Sequence, residues 1–163
     1  MAFAVGVPVL VACTRGPESS KGRSPTVTLE LQVVGDPIIA SAGASFVVPV
    51  RLRNVGSKPE TLMFNSSCSF QVAIATLDGR ELARPDAICL SVIREPTLDP
   101  GEALEKLVAY TIGEPGVVRL APGAYRITPI LLAISKHAVG TQTVRLEIRP
   151  AKPTDPSIEQ SRP

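Results

Sequence analysis

The sequence predicts an all-β domain, an antiparallel β-sandwich of about seven to nine short strands. Three observations point to it. Apolar residues recur at every second position in several short runs, and clusters of Asp, Gly and Pro separate these runs. The residues available for a core are mostly aliphatic, because the chain of 163 residues contains no Trp, two Tyr and four Phe. This length supports one folded domain, which we expect at residues 26–149.

The alternating runs follow one another along the domain, and each gives a strand one apolar face. Their apolar positions are Val27, Leu29, Leu31 and Val33, then Phe46, Val48, Val50 and Leu52, then Phe70, Val72 and Ile74, and finally Val144, Leu146 and Ile148. After the third run, Asp78 and Gly79 predict a hairpin turn. Pro49 and Pro129 interrupt strand-like runs, and because proline has no amide hydrogen for a ladder, they predict sheet edges or bulges.

The segment from Ala103 to Ile112 fits two periods. In a helix, Leu104 and Leu107 would lie on one apolar face, whereas in a strand Leu104 would share its face with Tyr110. The period alone does not decide between the two. A Pro-Gly turn precedes the segment and its second half is rich in strand formers, so we predict a strand.

The pattern L-x-P-G occurs twice, with Pro100 and Gly101 in the first copy and Pro122 and Gly123 in the second. Each copy predicts a type II turn, because Pro fixes φ at the second turn position and Gly permits a positive φ at the third. Tyr125 follows the second turn at a strand start. In sandwiches of the immunoglobulin type such a tyrosine anchors the corner through its hydroxyl group; the alternative is an ordinary core tyrosine.

Taken together, these residues resemble the BsuPI-type family of intracellular proteinase inhibitor domains, over a stretch from about Phe46 to Ile134. The resemblance rests on N-V-G-S-K-P-E-T-L-M-F at 54–64, the segment 70–82 with its D-G-R-E hairpin, L-D-P-G-E at 98–102 and L-A-P-G-A-Y at 120–125. It implies an immunoglobulin-like β-sandwich and inhibition of a proteinase. The sequence departs from the family in lacking a tryptophan after the D-G hairpin and in having Cys68 and Cys89.

The N-terminal segment is typical of a bacterial lipoprotein signal. An apolar run from Ala2 to Val9 leads into the tetrapeptide L-V-A-C, which ends at Cys13. About twelve apolar residues are too few to cross a hydrocarbon core of about 30 Å, but they suit a signal peptide. We therefore predict a signal peptide at residues 1–12 and a lipid on Cys13. Since no basic residue precedes Arg15, we expect the true start to lie upstream of the recorded one. The alternative is an apolar strand that ends in a buried cysteine.

Two flanking segments lack the apolar period of the domain. Residues 13–25 are rich in Ser, Gly and charge and predict a flexible tether. Residues 150–163 predict a disordered, proline-rich tail. Lipidation would then display the domain in the bacterial cell envelope, attached to the membrane through Cys13 and facing the periplasm or the exterior.

Cys68 and Cys89 remain as a pair once Cys13 is assigned to a lipid. In an oxidising compartment such a pair predicts a disulfide. Closing this loop would restrict the unfolded chain by about 3 kcal/mol in the chain-entropy model. In a reducing compartment the same residues would be two separate buried thiols.

Charge and residue content exclude several kinds of function. Seventeen Lys and Arg against fifteen Asp and Glu give a net charge of +2, and their scattering argues against a nucleic-acid partner. The single histidine, His137, fits a surface or a turn, and no G-x-S-x-G nucleophile motif is present, so we predict no catalytic residue. Met63, Cys68 and His137 lack the second histidine of a copper site, and no cysteine pair has zinc spacing. We expect neither a metal nor another cofactor.

The sequence thus favours a lipid-anchored, non-enzymatic domain that binds another envelope protein through a sheet edge or loops, near Pro49 and the segment Asn54 to Pro59. The first alternative follows from the resemblance: inhibition of a serine protease, for which the segment Ala83 to Ile88 is the candidate loop. The second alternative is a small envelope enzyme.

Overall fold

A computed structural model describes residues 26–85 and 89–151 of the chain. The predicted signal peptide, Cys13 and the tether lie outside the described residues, as does the predicted tail apart from Pro150 and Ala151. Within the described residues, no helix has the length and hydropathy that a membrane span requires.

The described residues form strands and no helix, which confirms the all-β prediction. In chain order the strands are β1 (Leu29–Val33), β2 (Ile38–Ser41), β3 (Phe46–Asn54), β4 (Glu60–Thr61), β5 (Phe64–Ser66), β6 (Phe70–Ala75), β7 (Glu81–Ala83), β8 (Ser91–Arg94), β9 (Thr97–Leu98), β10 (Ala103–Tyr110), β11 (Gly123–Leu131), β12 (Val139–Gln142) and β13 (Val144–Arg149).

Two large sheets make the sandwich. Sheet A has four strands in the order β10-β3-β1-β12, and sheet B has five in the order β2-β13-β11-β6-β7. Two short ribbons, β4-β9 and β5-β8, join them. The nine strands of the main sheets agree with the predicted number, and the fold is an immunoglobulin-like β-sandwich.

Most strand pairs are antiparallel as predicted, but β1 pairs with β12 and β2 with β13 in parallel. The cause is that the chain changes sheet twice in the same sense. It passes from sheet A to sheet B between β1 and β2, and again between β12 and β13. The two ends of the domain therefore run side by side in the same direction.

The core consists of the inward side chains of both sheets, in one buried cluster. The predicted apolar positions of β3, β6 and β13 lie in it, except that Phe46 is half-buried. Val27 was expected in the first strand, but it precedes β1 and is 46% exposed. Tyr110 is fully buried and stacks on Phe46, with ring centroids 4.8 Å apart.

Tyr110 also satisfies its own hydroxyl group inside the core. The hydroxyl donates to the Val118 carbonyl at 2.7 Å and accepts from the Val118 amide at 3.2 Å. Burial raises the pKa of Tyr110 above its ordinary value, because the anion would lose its hydration. The segment 103–112 contains β10, so the strand prediction is confirmed, and Leu107 points outward, 70% exposed.

The prediction that Pro49 and Pro129 mark edges or bulges is wrong, since both lie in interior strands of a regular ladder. The Pro49 carbonyl accepts from the Val34 amide at 2.8 Å, one residue beyond the last β1–β3 pair, Val33–Val50. The nitrogen and carbonyl of a strand residue face the same neighbour, so the missing donor lies where β1 has already ended. Pro129 likewise lies two residues beyond the end of the β11–β13 ladder.

The two L-x-P-G segments differ in the structure. In the first, Gly101 has φ +88° and the Glu102 amide donates to the Asp99 carbonyl at 2.9 Å, as a type II turn requires. In the second, Pro122 forms a bend and Gly123 already begins β11 with φ +155°. The second prediction of a type II turn is therefore wrong.

Tyr125 bonds to the backbone of the second segment. Its hydroxyl donates to the Ala121 carbonyl at 2.9 Å, and this is the carbonyl that a turn at Pro122 would have bonded to the Ala124 amide. Ala124 is instead aligned with Glu147 in the β11–β13 ladder. A tyrosine hydroxyl bonded to the backbone four residues upstream is the corner arrangement of immunoglobulin-like sandwiches.

Candidate binding surface

The predicted disulfide is present and fixes one end of the molecule. Cys68 follows β5 and Cys89 precedes β8, and their Cα atoms are 5.5 Å apart. The bond therefore links the two strands of the β5-β8 ribbon just outside their ladder. An isolated pair of strands is marginally stable in water, so this ribbon needs such support.

Arg94, the last residue of β8, provides a second brace. Its Nη2 donates to the carbonyls of Ser66 and Ser67, at 3.2 and 2.7 Å, and to the Ser69 hydroxyl at 2.9 Å. The guanidinium lies 5.7 Å from the centre of the Phe64 ring. Charge-assisted bonds of this kind are stronger than neutral ones, so Arg94 holds β8 against the turn that leads into β6.

Apolar side chains on this braced ribbon are exposed. Leu90 and Ile93 are 72% and 75% exposed, and Val92 and Met63 are 40% and 39% exposed. We call these four residues the ribbon patch. Both sides of β8 contribute, because within the described residues β8 pairs with β5 alone. Val92 and Ile93 are consecutive residues of β8 and therefore project to opposite faces of the ribbon, so its apolar exposure lies on both faces.

The segment from Asn54 to Pro59, expected to offer loop contacts, is built around a buried amide. Asn54 Nδ2 donates to the Lys58 and Leu98 carbonyls, both at 2.8 Å, and its Oδ1 accepts from the Gly56 amide at 2.9 Å. The Asn54 side chain is fully buried. Its role is therefore to fix the shape of this loop and to join it to the residues before Pro100.

His137 lies in a place that the sequence did not indicate. It is in the loop between β11 and β12, as a turn histidine would be, but its side chain is only 9% exposed, so the expectation of a surface position is wrong. Nε2 lies 2.7 Å from the Ser135 hydroxyl, and Nδ1 lies 3.2 Å from Glu60 Oε2. Glu60 is 77 positions away in the chain, and no sequence pattern links it to the histidine.

The order Glu60–His137–Ser135 is that of a hydrolytic triad. Ser135 Oγ, however, accepts a hydrogen bond from the Met63 amide at 3.0 Å. The Ser135 hydroxyl thus shares hydrogen bonds with both the Met63 amide and His137 Nε2, and His137 Nδ1 shares one with Glu60. These hydrogen bonds link β4, the residue just before β5 and the loop after β11.

The structure does not bring the remaining candidate residues together into a metal or catalytic site. Cys68 is in the disulfide and so cannot join Met63 and His137 around a copper ion. Glu102 Oε2 accepts from the Asp99 amide at 2.8 Å, which uses this carboxylate to close the turn. In the described part of the chain no group of three or more His, Cys, Asp and Glu side chains is arranged to hold a metal ion.

The candidate inhibitory segment, residues 83–88, is described only at its start. The Pro85 carbonyl accepts from Gln71 Nε2 at 2.6 Å, and Arg84 forms an ion pair with Glu81 at 2.7 Å. Residues 86–88 lie outside the described residues, and Cys89 follows them.

Comparison with known proteins gives structural likeness without a family. No protein-family model matches the chain, and no curated protein matches it. A β-glucosidase from Listeria innocua in complex with glucose is 15% identical over 74% of this chain and 16% of its own, with a TM-score of 0.41.

Two further structures have similar scores. A CARDB domain from Pyrococcus furiosus is 14% identical over 74% of this chain and 94% of its own, with a TM-score of 0.39. The alkylpurine DNA glycosylase AlkC of Pseudomonas fluorescens, bound to DNA containing an abasic site analog, is 13% identical over 74% of this chain and 31% of its own, with a TM-score of 0.39.

Proposed function

We propose that this chain is a non-enzymatic binding domain, displayed from the bacterial envelope by a lipid on Cys13, that holds a neighbouring envelope protein through the ribbon patch. The observation that carries the proposal is the combination of bracing and exposure on one ribbon. Leu90 and Ile93 are among the most exposed large apolar side chains described, yet Leu90 directly precedes β8 and Ile93 lies within it, and β8 is held by a disulfide and by Arg94.

The energetic reason for this combination is that a rigid apolar surface loses little conformational entropy when a partner covers it. Burying one Ile or Leu side chain contributes about 1.5 to 3 kcal/mol. The net charge of the chain, +2, is small, and the one charged residue of β8, Arg94, directs its guanidinium to Ser66, Ser67 and Ser69. The fitting partner is therefore a protein with an apolar groove or an apolar helix face.

Site-directed photo-crosslinking in the producing cells tests this surface. A photoreactive phenylalanine analogue replaces Ile93, and the matched control replaces Ile39, which is 49% exposed on β2 at the edge of sheet B. We expect one discrete crosslinked product at position 93 and none at position 39. The product should weaken when Leu90→Ser is added, because this substitution removes a neighbouring apolar contact.

Equal crosslinking at both positions would contradict a specific surface, as would a product that Leu90→Ser leaves unchanged. The anchor is tested separately, by the incorporation of radiolabelled palmitate. We expect incorporation that Cys13→Ser abolishes. An unlabelled wild-type chain would refute lipidation without bearing on the ribbon patch.

Inhibition of a serine protease is the second candidate. It rests on the resemblance to the BsuPI-type family, and it is favoured by the restraints on the two flanks of residues 86–88. Pro85 is bonded to Gln71, and Cys89 to Cys68. A segment held at both ends suits an inhibitor loop, because such loops resist cleavage by staying in one conformation.

Titration of the chain against a panel of serine proteases separates the two candidates. Stoichiometric inhibition that Asp86→Ala weakens would support the inhibitor and its loop. Full protease activity with the chain intact would leave the binding domain. We place a small envelope enzyme last, because Ser135 does not lie in a G-x-S-x-G nucleophile motif. A fluorophosphonate probe that labels Ser135 would reverse that order.

A further inference from the structure

The outer face of sheet B carries two arginines directly opposite each other. Arg126 on β11 is the register partner of Arg145 on β13. Side chains in such positions have Cβ atoms about 5 Å apart, and like charges there are destabilising. Arg126 is also aligned with Ala75 on β6, which in turn is aligned with Glu81 on β7.

Neither of these guanidinium groups has a carboxylate partner within the described residues. Glu81 is the nearest acidic residue in that row, but Arg84 Nε and Nη2 occupy both of its oxygens, at 3.1 and 2.7 Å. Asp36 Oδ1 accepts from the Arg145 backbone amide at 3.3 Å but forms no ion pair with the Arg145 guanidinium. Two adjacent guanidinium groups without an ion-pair partner favour an anion between them. The whole chain has a net charge of only +2, and its basic residues are scattered in the sequence, yet the fold brings these two together.

The shape of the face supports a ligand. Ala73 and Ala75 form a low floor beside the two arginines, and the groove above them encloses about 720 Å³. Leu77, 53% exposed, and Ile130 line the same groove. The groove therefore has the volume and the mixed apolar and polar lining of a site that takes several groups of a ligand.

We propose that this groove binds an acidic segment of a partner protein, with one carboxylate placed between Arg126 and Arg145 and an apolar neighbour seated over the alanine floor. A carboxylate accepts charge-assisted bonds from both guanidinium groups and removes the repulsion between them. The apolar lining favours a protein segment over a free phosphate, which would gain nothing from Leu77 or Ile130. The groove arginines do not include any residue of the ribbon patch, so this proposal stands independently of the proposed function.

Fluorescence anisotropy with the full chain in a neutral detergent tests the groove. The probe is a labelled octapeptide of alternating Glu and Leu, and its control has Gln in place of each Glu. We expect the Glu peptide to bind at least about tenfold more tightly than the Gln peptide, and its affinity to fall with added salt. Arg126→Gln with Arg145→Gln should remove this preference.

Arg119→Gln is the matched charge control, because Arg119 is exposed in the loop before β11. It should leave the affinity within about twofold of wild type, as should Ile93→Ser in the ribbon patch. Binding that survives the double arginine substitution would overturn the proposal. Displacement of the peptide by an equal concentration of inorganic phosphate would also overturn it, because it would indicate a simple anion site without recognition of a segment.

Discussion

On the outer face of sheet A each outward arginine of β3 stands opposite a carboxylate, whereas on the outer face of sheet B two arginines stand opposite each other. Arg51 is aligned with Glu105 and bonded to it at 2.6 Å, and Arg53 is aligned with Glu30. Arg126 is aligned with Arg145. On sheet A, Arg51 is therefore in an ion pair and Arg53 faces a carboxylate while it donates to the Gly101 carbonyl at 3.4 Å, whereas on sheet B two like charges face each other.

The difference separates a surface that stabilises the fold from one that is available for binding. Opposite charges across a ladder contribute a few tenths to about 1 kcal/mol, and like charges subtract a similar amount. The Arg126–Arg145 pair lowers the free energy of unfolding, and a single substitution would remove this cost. Such local conflicts are expected at functional sites, and this one coincides with the groove over Ala73 and Ala75.

The largest expected effect is on stability, and it comes from removing the hydrogen bonds of Asn54, the last residue of β3 in sheet A. Asn54→Ala removes three hydrogen bonds, including the buried bond to the Leu98 carbonyl, while the Gly56 amide keeps the Thr28 carbonyl as an acceptor. We expect a loss of about 3 kcal/mol in the free energy of unfolding, measured by urea denaturation. Asn65→Ala, at an exposed position of β5, should cost no more than about 0.5 kcal/mol.

Asn54→Asp refines this result, because it keeps an acceptor for the Gly56 amide but loses both donors. It should destabilise the domain at least as much as Asn54→Ala, since it also buries a charge. A loss below about 1 kcal/mol for Asn54→Ala would mean that water replaces the amide in this loop.

Charge reversal gives the most direct comparison of the two faces, because one type of substitution should have opposite signs. Arg51→Glu puts a carboxylate against Glu105 and should lower the free energy of unfolding by about 1 kcal/mol. Arg145→Glu puts a carboxylate against Arg126 and should raise it by about 0.5 kcal/mol. Urea denaturation at low salt measures both, with Arg119→Glu as the control for net charge. Equal signs for the two reversals would remove the contrast on which the groove rests.

The dependence of stability on salt should also differ between the two faces, by a smaller amount than charge reversal. Screening weakens attraction on sheet A and repulsion on sheet B, over a Debye length of about 10 Å at 0.1 M. Stability should therefore rise less steeply with NaCl in Arg145→Gln than in wild type, and more steeply in Arg51→Gln, by a few tenths of a kcal/mol in each case. Thermal melts over a range of NaCl concentrations measure these slopes. Parallel slopes in all three proteins would show that neither pair contributes to stability.

Much of the sandwich could be predicted from local pattern. Period-two alternation located β3, β6 and β13, and strand formers after a turn located β10, since these signals depend on neighbours in the chain. The disulfide could be predicted because Cys68 and Cys89 were the two cysteines that remained once Cys13 was assigned to a lipid. The alternation in β13 also indicated that Arg145 faces outward, but it did not indicate which residue lies opposite Arg145 on the neighbouring strand.

The rest depended on which strands lie side by side. Register brings Arg126 to Arg145 and Glu60 to His137, and no periodicity encodes a pairing between distant segments. The second L-x-P-G segment went wrong for a different reason. Turn propensity is a local preference, and it contains no information on a strand that already begins at Gly123 or on the bond between the Tyr125 hydroxyl and the Ala121 carbonyl.

The smallest expected effect concerns the hairpin that closes sheet B. The Thr76 hydroxyl, which bonds to the carboxylate of Asp78, is the main reason that the pKa of Asp78 lies below its ordinary value of 3.8, with Arg80 contributing less. A lowered folded-state pKa stabilises the fold above the unfolded-state value, and this contribution is lost as the pH falls through the folded-state pKa.

Carbon-detected NMR titration of Asp78 measures this directly. Thr76→Val should move the pKa up toward 3.8, while Thr76→Ser, which keeps the hydroxyl, should leave it low. Arg126→Gln should leave it unchanged, because the groove arginines are not among the groups that shift the pKa of Asp78. A rise in Arg126→Gln would mean that Asp78 already serves as their counter-charge. The groove would then be a satisfied surface like the outer face of sheet A, and the case for an acidic ligand would fall with it.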